Sequence, residues 1–274
     1  CTFTMSGGIL HGLDTSETSF PYKNGGAVYM DDPSGVAVLS GGTITGGSAT
    51  LGGAVYMTAG EFTVSNNGII QGNNATENGG AIYLGKTGEY KGTFTINGGT
   101  ITGNTAAIHG GAIYLDGGDA YVNGGEIKLN NSVNGGGAYL AGGTLTVTDG
   151  SINENTASSN GGGAYLAGGT LTISGGSISS NIADNGAGAY LADGTLTASG
   201  GSIKLNDATT NGGGAYLKGG KLIVSGGNIE SNTAIYGAGA YLEGGALEMS
   251  NGYIKLNTAS TSGAGAYLAG GKLI

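Results

Sequence analysis

Arginine and tryptophan are absent from this 274-residue chain, and it holds only two prolines and one cysteine, Cys1. A lone cysteine permits neither an internal disulfide nor a cysteine-ligated zinc site. Charged residues make up 10% of the chain, well below the roughly 25% of an average soluble domain. Nine lysines face 18 acids, for a net charge of −9. The lysines are dispersed, so the cationic cluster that displaces counterions from phosphates is missing, which excludes nucleic acid as a partner. No apolar run approaches the ~18 residues of a membrane-spanning helix. No basic segment followed by an apolar stretch opens the chain, so no signal peptide is visible in it.

What is abundant is glycine, 63 residues of it. With so little proline, the composition fits neither collagen nor a proline-rich linker. Each glycine costs a helix about 1 kcal/mol, which makes long helices unfavourable. The glycines are phased. A box of small, apolar, Tyr and Leu/Met residues recurs with Tyr29, Tyr56, Tyr83, Tyr114, Tyr139, Tyr165, Tyr190, Tyr216, Tyr241 and Tyr267, at spacings of 27, 27, 31, 25, 26, 25, 26, 25 and 26. A fixed period of this length marks a solenoid. The expected fold is all-β: a single-chain parallel β-helix of roughly ten coils, 25–26 residues each, forming one array over residues 1–274. Coils within 1–136 are irregular and those within 137–274 regular.

Residues 137–161 show the unit. Gly137-Ala138-Tyr139-Leu140 reads as a short strand, Thr144 to Thr148 as a second, and Ser151 to Asn155 as a third. Bends at Ala141-Gly142-Gly143 and Asp149-Gly150 separate them, and Thr156 to Asn160 reads as a polar loop. Stacked coils lie about 4.8 Å apart, so the array makes a rod roughly 50 Å long. Alternation assigns the faces. The positions flanking tyrosine, such as Val55/Met57 and Ala164/Leu166, are apolar throughout and point inward, so the tyrosines point out. Phe3/Met5, Phe62/Val64, Phe94/Ile96 and Leu145/Val147 face in from the second strand, and Ile101, Ile127, Ile152, Ile178, Ile203, Ile229 and Ile254 from the third.

Several polar columns follow from the same register. Asn73, Asn104, Asn130, Asn155, Asn181, Asn206, Asn232 and Asn257 each stand three residues after an isoleucine, where stacked amides can hydrogen-bond along the axis. A second, broken column holds Asn24, Asn78, Asn134, Asn160, Asn185 and Asn211. Both read as corner stabilisers. The ten tyrosines read as a stiffening stack, worth about 0.2–1 kcal/mol per neighbouring pair, with a contact strip for glycans, a neighbouring rod or a host surface as the functional alternative. Lys204, Glu230 and Lys255 should stack, as should Lys218 and Glu243. Thr-x-Thr pairs at 2/4, 93/95, 144/146, 170/172 and 195/197 resemble the flat faces of β-solenoid ice-binding proteins, but the column breaks to Lys221/Ile223 and Ala246/Glu248, and ordinary β-propensity of threonine explains it more cheaply.

Many parallel β-helices cleave polysaccharides, using clustered carboxylates or acid-bound calcium. Here the tight acidic groups are Asp31-Asp32 and Asp116/Asp119, which read as turn residues or, at most, a weak surface Ca²⁺ site. His11 and His109 are far apart in sequence and have no evident nucleophile. The sequons Asn74-Ala75-Thr76 and Asn130-Asn131-Ser132 are near chance in so Asn-rich a chain. No catalytic constellation, metal site or cofactor emerges.

Gly25-Gly26-Ala27-Val28, Gly52-Gly53-Ala54-Val55, Gly79-Gly80-Ala81-Ile82 and Gly110-Gly111-Ala112-Ile113 resemble the GGA[I/L/V] motif of polymorphic outer-membrane-protein repeats. The companion Phe-x-x-Asn motif appears with isoleucine, as in Ile101-Thr102-Gly103-Asn104 and Ile127-Lys128-Leu129-Asn130. From residue 137 the box becomes Gly-Gly-Gly-Ala or Gly-Ala-Gly-Ala. The resemblance implies a right-handed β-helix at a microbial surface, used as a passenger or adhesin. The chain opens within a strand, Thr2 to Ser6, and closes at Gly270-Gly271-Lys272-Leu273-Ile274 midway through a coil, without polar caps. The expectation is a segment of a longer array: a non-enzymatic extracellular rod with copies of itself or surface glycans as partners. The alternatives are a carbohydrate-active β-helix, whose catalytic coil lies outside the segment or within residues 10–36, and ice binding.

Overall fold

The computed structural model describes residues 1–14 and 23–274. Among these residues every regular element is a β-strand, as expected where glycine and β-branched residues dominate. Apart from a small antiparallel hairpin, Lys86–Thr87 with Tyr90–Lys91, the strands stack in parallel into three sheets that run the length of a solenoid. One, the tyrosine sheet, has ten three-residue strands, from Val28–Met30 to Ala266–Leu268. Its register is residue on equivalent residue: Ala138, Tyr139 and Leu140 pair with Ala164, Tyr165 and Leu166.

The second and third strands of each coil share one sheet. In six coils they form a continuous ten-residue strand, such as Asp119–Lys128 and Lys221–Glu230. Elsewhere they separate into pieces such as Thr144–Val147 and Ser151–Asn153, both of which pair with Asp119–Lys128. The pairing skips residues at the midpoint, for instance between Asn97 and Thr100. This bulge bends the sheet, and the bend reads in sequence as a break between two strands.

The third sheet corrects the sequence reading. Thr156–Asn160, expected to be a polar loop, is a strand of a nine-stranded sheet that runs from Ser48–Leu51 to Thr258–Ser262. Its inward residue is small. Ala157, Ala183, Ala208 and Ala234 form an apolar cluster of their own with Ala187 and Ala238. One alanine among Thr, Ser and Asn gives almost no hydrophobic period, which hides the strand. The facing walls are close here: a Cβ at Gly162 would lie 2.5 Å from the Ile182 carbonyl oxygen.

The main core is one continuous cluster. Val55, Met57, Ile82, Leu84, Ile113 and Leu115 from the tyrosine sheet meet Phe62, Val64, Phe94, Ile96 and the third-strand isoleucines Ile101 to Ile229, all buried. Ile254 is partly buried against it. Phe3, expected inside, is 42% exposed because it lies in the first described coil, which has a neighbour on one side only.

Candidate functional site

The polar columns occupy two corners and the outer faces. At the corner between the bulged and alanine sheets, one left-handed residue turns the chain. Leu129, Glu154, Ser180, Leu205, Ser231 and Leu256 have φ of 54–57°, and Gly72 and Gly103 have 61°. Such backbone costs an L-residue roughly 1–2 kcal/mol. The next residue is in every case a ladder asparagine. Asn73, Asn104, Asn130, Asn155, Asn181, Asn206 and Asn232 are buried, and Asn257 is partly buried.

Each interior member uses its whole hydrogen-bonding capacity. Asn155 Oδ1 accepts from both the backbone N–H and the side-chain amide of Asn130, each at 3.0 Å. Its own Nδ2 donates to Asn181 Oδ1 at 3.1 Å and to the Ile127 carbonyl at 2.9 Å. One side chain thus ties three successive coils. The side-chain bonds run unbroken from Asn73 to Asn257 at 2.9–3.1 Å. Asn130, the first residue of a sequon, is sealed in this ladder.

The second column runs the other way. Asn160 Nδ2 donates back to Asn134 at 3.1 Å, Asn185 to Asn160 at 3.2 Å and Asn211 to Asn185 at 3.0 Å. His109 and Tyr236 take asparagine positions in it. Asn134 Nδ2 lies 3.4 Å from His109 Nδ1, and the His109 ring stacks on Tyr139 at 4.2 Å. Asn78 Oδ1, which faces His109 from the coil before, is buried without a hydrogen-bond partner among the described residues. Burial pushes the His109 pKa down, and so favours the neutral ring.

The tyrosines do point out of the core, and their rings form one stack. From Tyr29 to Tyr267, centroids are 4.8–5.3 Å apart with planes 4–18° from parallel. The faces therefore cover one another. Tyr83, Tyr139, Tyr190 and Tyr216 retain only 8–9% exposure. Burial raises the phenol pKa values, to about 12 for Tyr139 and Tyr190. At Tyr83 and Tyr216 the carboxylates of Asp116 and Glu243, which accept their hydroxyls, raise them further.

The remaining candidates are similarly engaged. Asp116 holds the Tyr83 hydroxyl at 2.8 Å, and Asp119 pairs with Lys91. Asp32 accepts from the Ser34 N–H and hydroxyl, each at 2.9 Å. Among the described residues no three His, Cys, Asp or Glu side chains come together as metal ligands. Lys255 pairs with Glu230 at 3.4 Å, as the charge columns imply, whereas Glu243 takes the Tyr216 hydroxyl. Thr-x-Thr pairs are in register over three coils, 144/146, 170/172 and 195/197, between Asp119/Tyr121 and Lys221/Ile223. Within the 10–36 stretch, residues 15–22 lie outside the described residues. Its described part contributes Leu10, Val28 and Met30 to an apolar recess with Asp31 and Asp32 alongside.

The stacked coils, the amide ladders and the tyrosine stack define a parallel β-solenoid. Comparisons with protein-family models, curated proteins and solved structures found no match. No helix among the described residues is long and apolar enough to cross a membrane.

Proposed function

We propose that the chain is a stretch of a non-enzymatic structural or adhesive rod, a stalk, fibre element or adhesin, at the cell surface or outside the cell. The observation that carries this reading is where the polar side chains are spent. Asparagine amides bond to asparagine amides, tyrosines cover tyrosines, and Lys221 and Lys255 reach Glu248 and Glu230 in adjoining coils. Groups that an enzyme would aim at a substrate are used here for axial cohesion. The GGA[I/L/V] boxes and Ile-x-x-Asn corners agree with the surface-protein resemblance. Partners are further copies of the rod or surface glycans. A glycan would meet tyrosine edges and hydroxyls, because the ring faces are covered. Incubation with a glycan array and with soluble polysaccharides tests the reading. Binding without new chain ends supports it, and release of reducing or unsaturated ends overturns it.

The three-coil threonine array favours one second reading, binding to ice. Thermal hysteresis in a freezing assay would support it, and freezing without hysteresis would dismiss it.

A further inference from the structure

Ten asparagines of this chain precede glycine: Asn24, Asn67, Asn78, Asn97, Asn123, Asn134, Asn160, Asn185, Asn211 and Asn251. Asn-Gly is the dipeptide most prone to spontaneous succinimide formation, because glycine leaves its backbone nitrogen unhindered. The fold sorts these ten into unlike environments.

Six are in the second corner column, and the N–H of the following glycine is bound to a neighbouring coil in all of them. Gly25 N–H donates to Leu51 O, Gly79 to His109 O, Gly135 to Asn160 O, Gly161 to Asn185 O, Gly186 to Asn211 O and Gly212 to Tyr236 O, at 2.9–3.0 Å. Succinimide closure needs that nitrogen to lose its proton and swing onto the side-chain Cγ of the asparagine. At the corners this motion breaks an inter-coil bond, and at Asn160, Asn185 and Asn211 it pulls the amide from its ladder as well.

Asn97, Asn123 and Asn251 differ. All three are exposed and sit at the bulge of the long strands. Pairing passes over Gly98 and Gly252, the glycines after Asn97 and Asn251, and over Asn123 itself, whereas Gly124 pairs with Asn97. The Asn97 side-chain oxygen accepts an amide bond from Asn123 at 3.1 Å. Asn67 stands apart from both groups, exposed but with the Gly68 N–H held by Ser65 O within its own turn.

We propose that Asn97, Asn123 and Asn251 are sites of spontaneous deamidation on the outer face of the bulged sheet, while the six corner Asn-Gly pairs are protected by the coil stack. The glycine nitrogen bonds to Cγ, the Cγ–Nδ2 bond breaks and ammonia leaves. Water then opens the imide at either carbonyl, giving aspartate or isoaspartate. No oxidant or enzyme is required. Each event turns a neutral amide into a carboxylate on a chain already at −9. The isoaspartyl form adds a backbone atom where the strand already accommodates an unpaired residue. The surface charge of the rod therefore records its age without breaking its ladders.

The test is incubation of the folded chain at mildly alkaline pH, with peptide mass mapping over time, beside the same chain in denaturant. The expected result is amide-to-acid conversion at Asn97, Asn123 and Asn251 in the folded protein at least tenfold faster than at the six corner positions, with all nine converting at similar rates once unfolded. Equal rates at the two groups in the folded state would overturn the proposal, as would bulge sites that stay amidated while the corners react. A Gly98→Ala variant should slow conversion at Asn97 alone. Unchanged conversion at Asn97 would argue against the succinimide route.

Discussion

The side-chain amide of Asn155 donates to Asn181 Oδ1 one coil away, 3.1 Å distant, while in the facing corner Asn185 donates back to Asn160. The two amide ladders therefore run in opposite directions along the same rod. Their dipoles oppose one another, so the shorter second ladder offsets part of the side-chain field of the first.

Removing one interior member exposes how much the first ladder carries. Asn181→Ala leaves the Asn155 N–H and part of its amide without an acceptor, and takes a donor from both Asn206 Oδ1 and the Ile152 carbonyl. A buried polar group left unpaired costs about 1–3 kcal/mol. We expect a loss of about 3 kcal/mol or more, read as a lowered midpoint in urea unfolding. Asn160→Ala, in the half-buried second column, should cost about 1 kcal/mol.

Leu205 is 56% exposed and holds φ at 57°. Its side chain gains little from packing, and its backbone occupies a region that favours Gly and Asn. Leu205→Asn should stabilise the rod by about 0.5–1 kcal/mol, with a rise in the unfolding midpoint. A fall would mean that this leucine is covered in the native assembly.

His109 breaks the second ladder and leaves Asn78 Oδ1 unpaired. His109→Asn supplies the missing donor and an amide acceptor for Asn134, at the cost of the ring stack on Tyr139. We expect a net gain of about 1 kcal/mol at neutral pH. Burial lowers the His109 pKa below 6.5, so its contribution is present above pH 6.5 and is lost as pH falls through the depressed value. The variant should lose that component of the acid dependence.

Much of this was legible because identical residues recur in register. The Tyr139/Tyr165 spacing predicts a stack, the Ile152-to-Asn155 spacing predicts an inward isoleucine with an amide at the corner, and both are found. What sequence hid had no hydrophobic contrast. Ala157 is the only apolar inward side chain of its strand, so the third sheet read as a loop. The bend at Asp149-Gly150 read as a break between two strands, and Thr144–Val147 and Ser151–Asn153 are indeed separate, but that both belong to one sheet was not legible. Left-handed backbone at Leu205 or Leu256 is invisible, because leucine is not a residue that signals it. Ladder direction depends on hydrogen-bond partners that spacing cannot supply.

The tyrosine stack sets the alkaline limit. A phenol whose folded pKa is raised stabilises the fold fully below the ordinary value of 10.0, and that contribution is lost as pH rises through the folded value, about 12 for Tyr139 and Tyr190. Stability should therefore decline progressively between these two pH values, with ladder phenolate appearing late in ultraviolet absorbance. Phenolate formation by every ladder tyrosine at the ordinary value, with the fold intact, would show that the rings are not packed together.

The account rests on like residues of successive coils touching along one axis. Nuclear Overhauser spectroscopy of the asparagine side-chain amides reads that contact directly. The expected result is an unbroken chain of cross-peaks from Asn130 through Asn155, Asn181 and Asn206 to Asn232, on amide protons that exchange slowly with solvent. Rapidly exchanging amides with no cross-peaks between coils would contradict it.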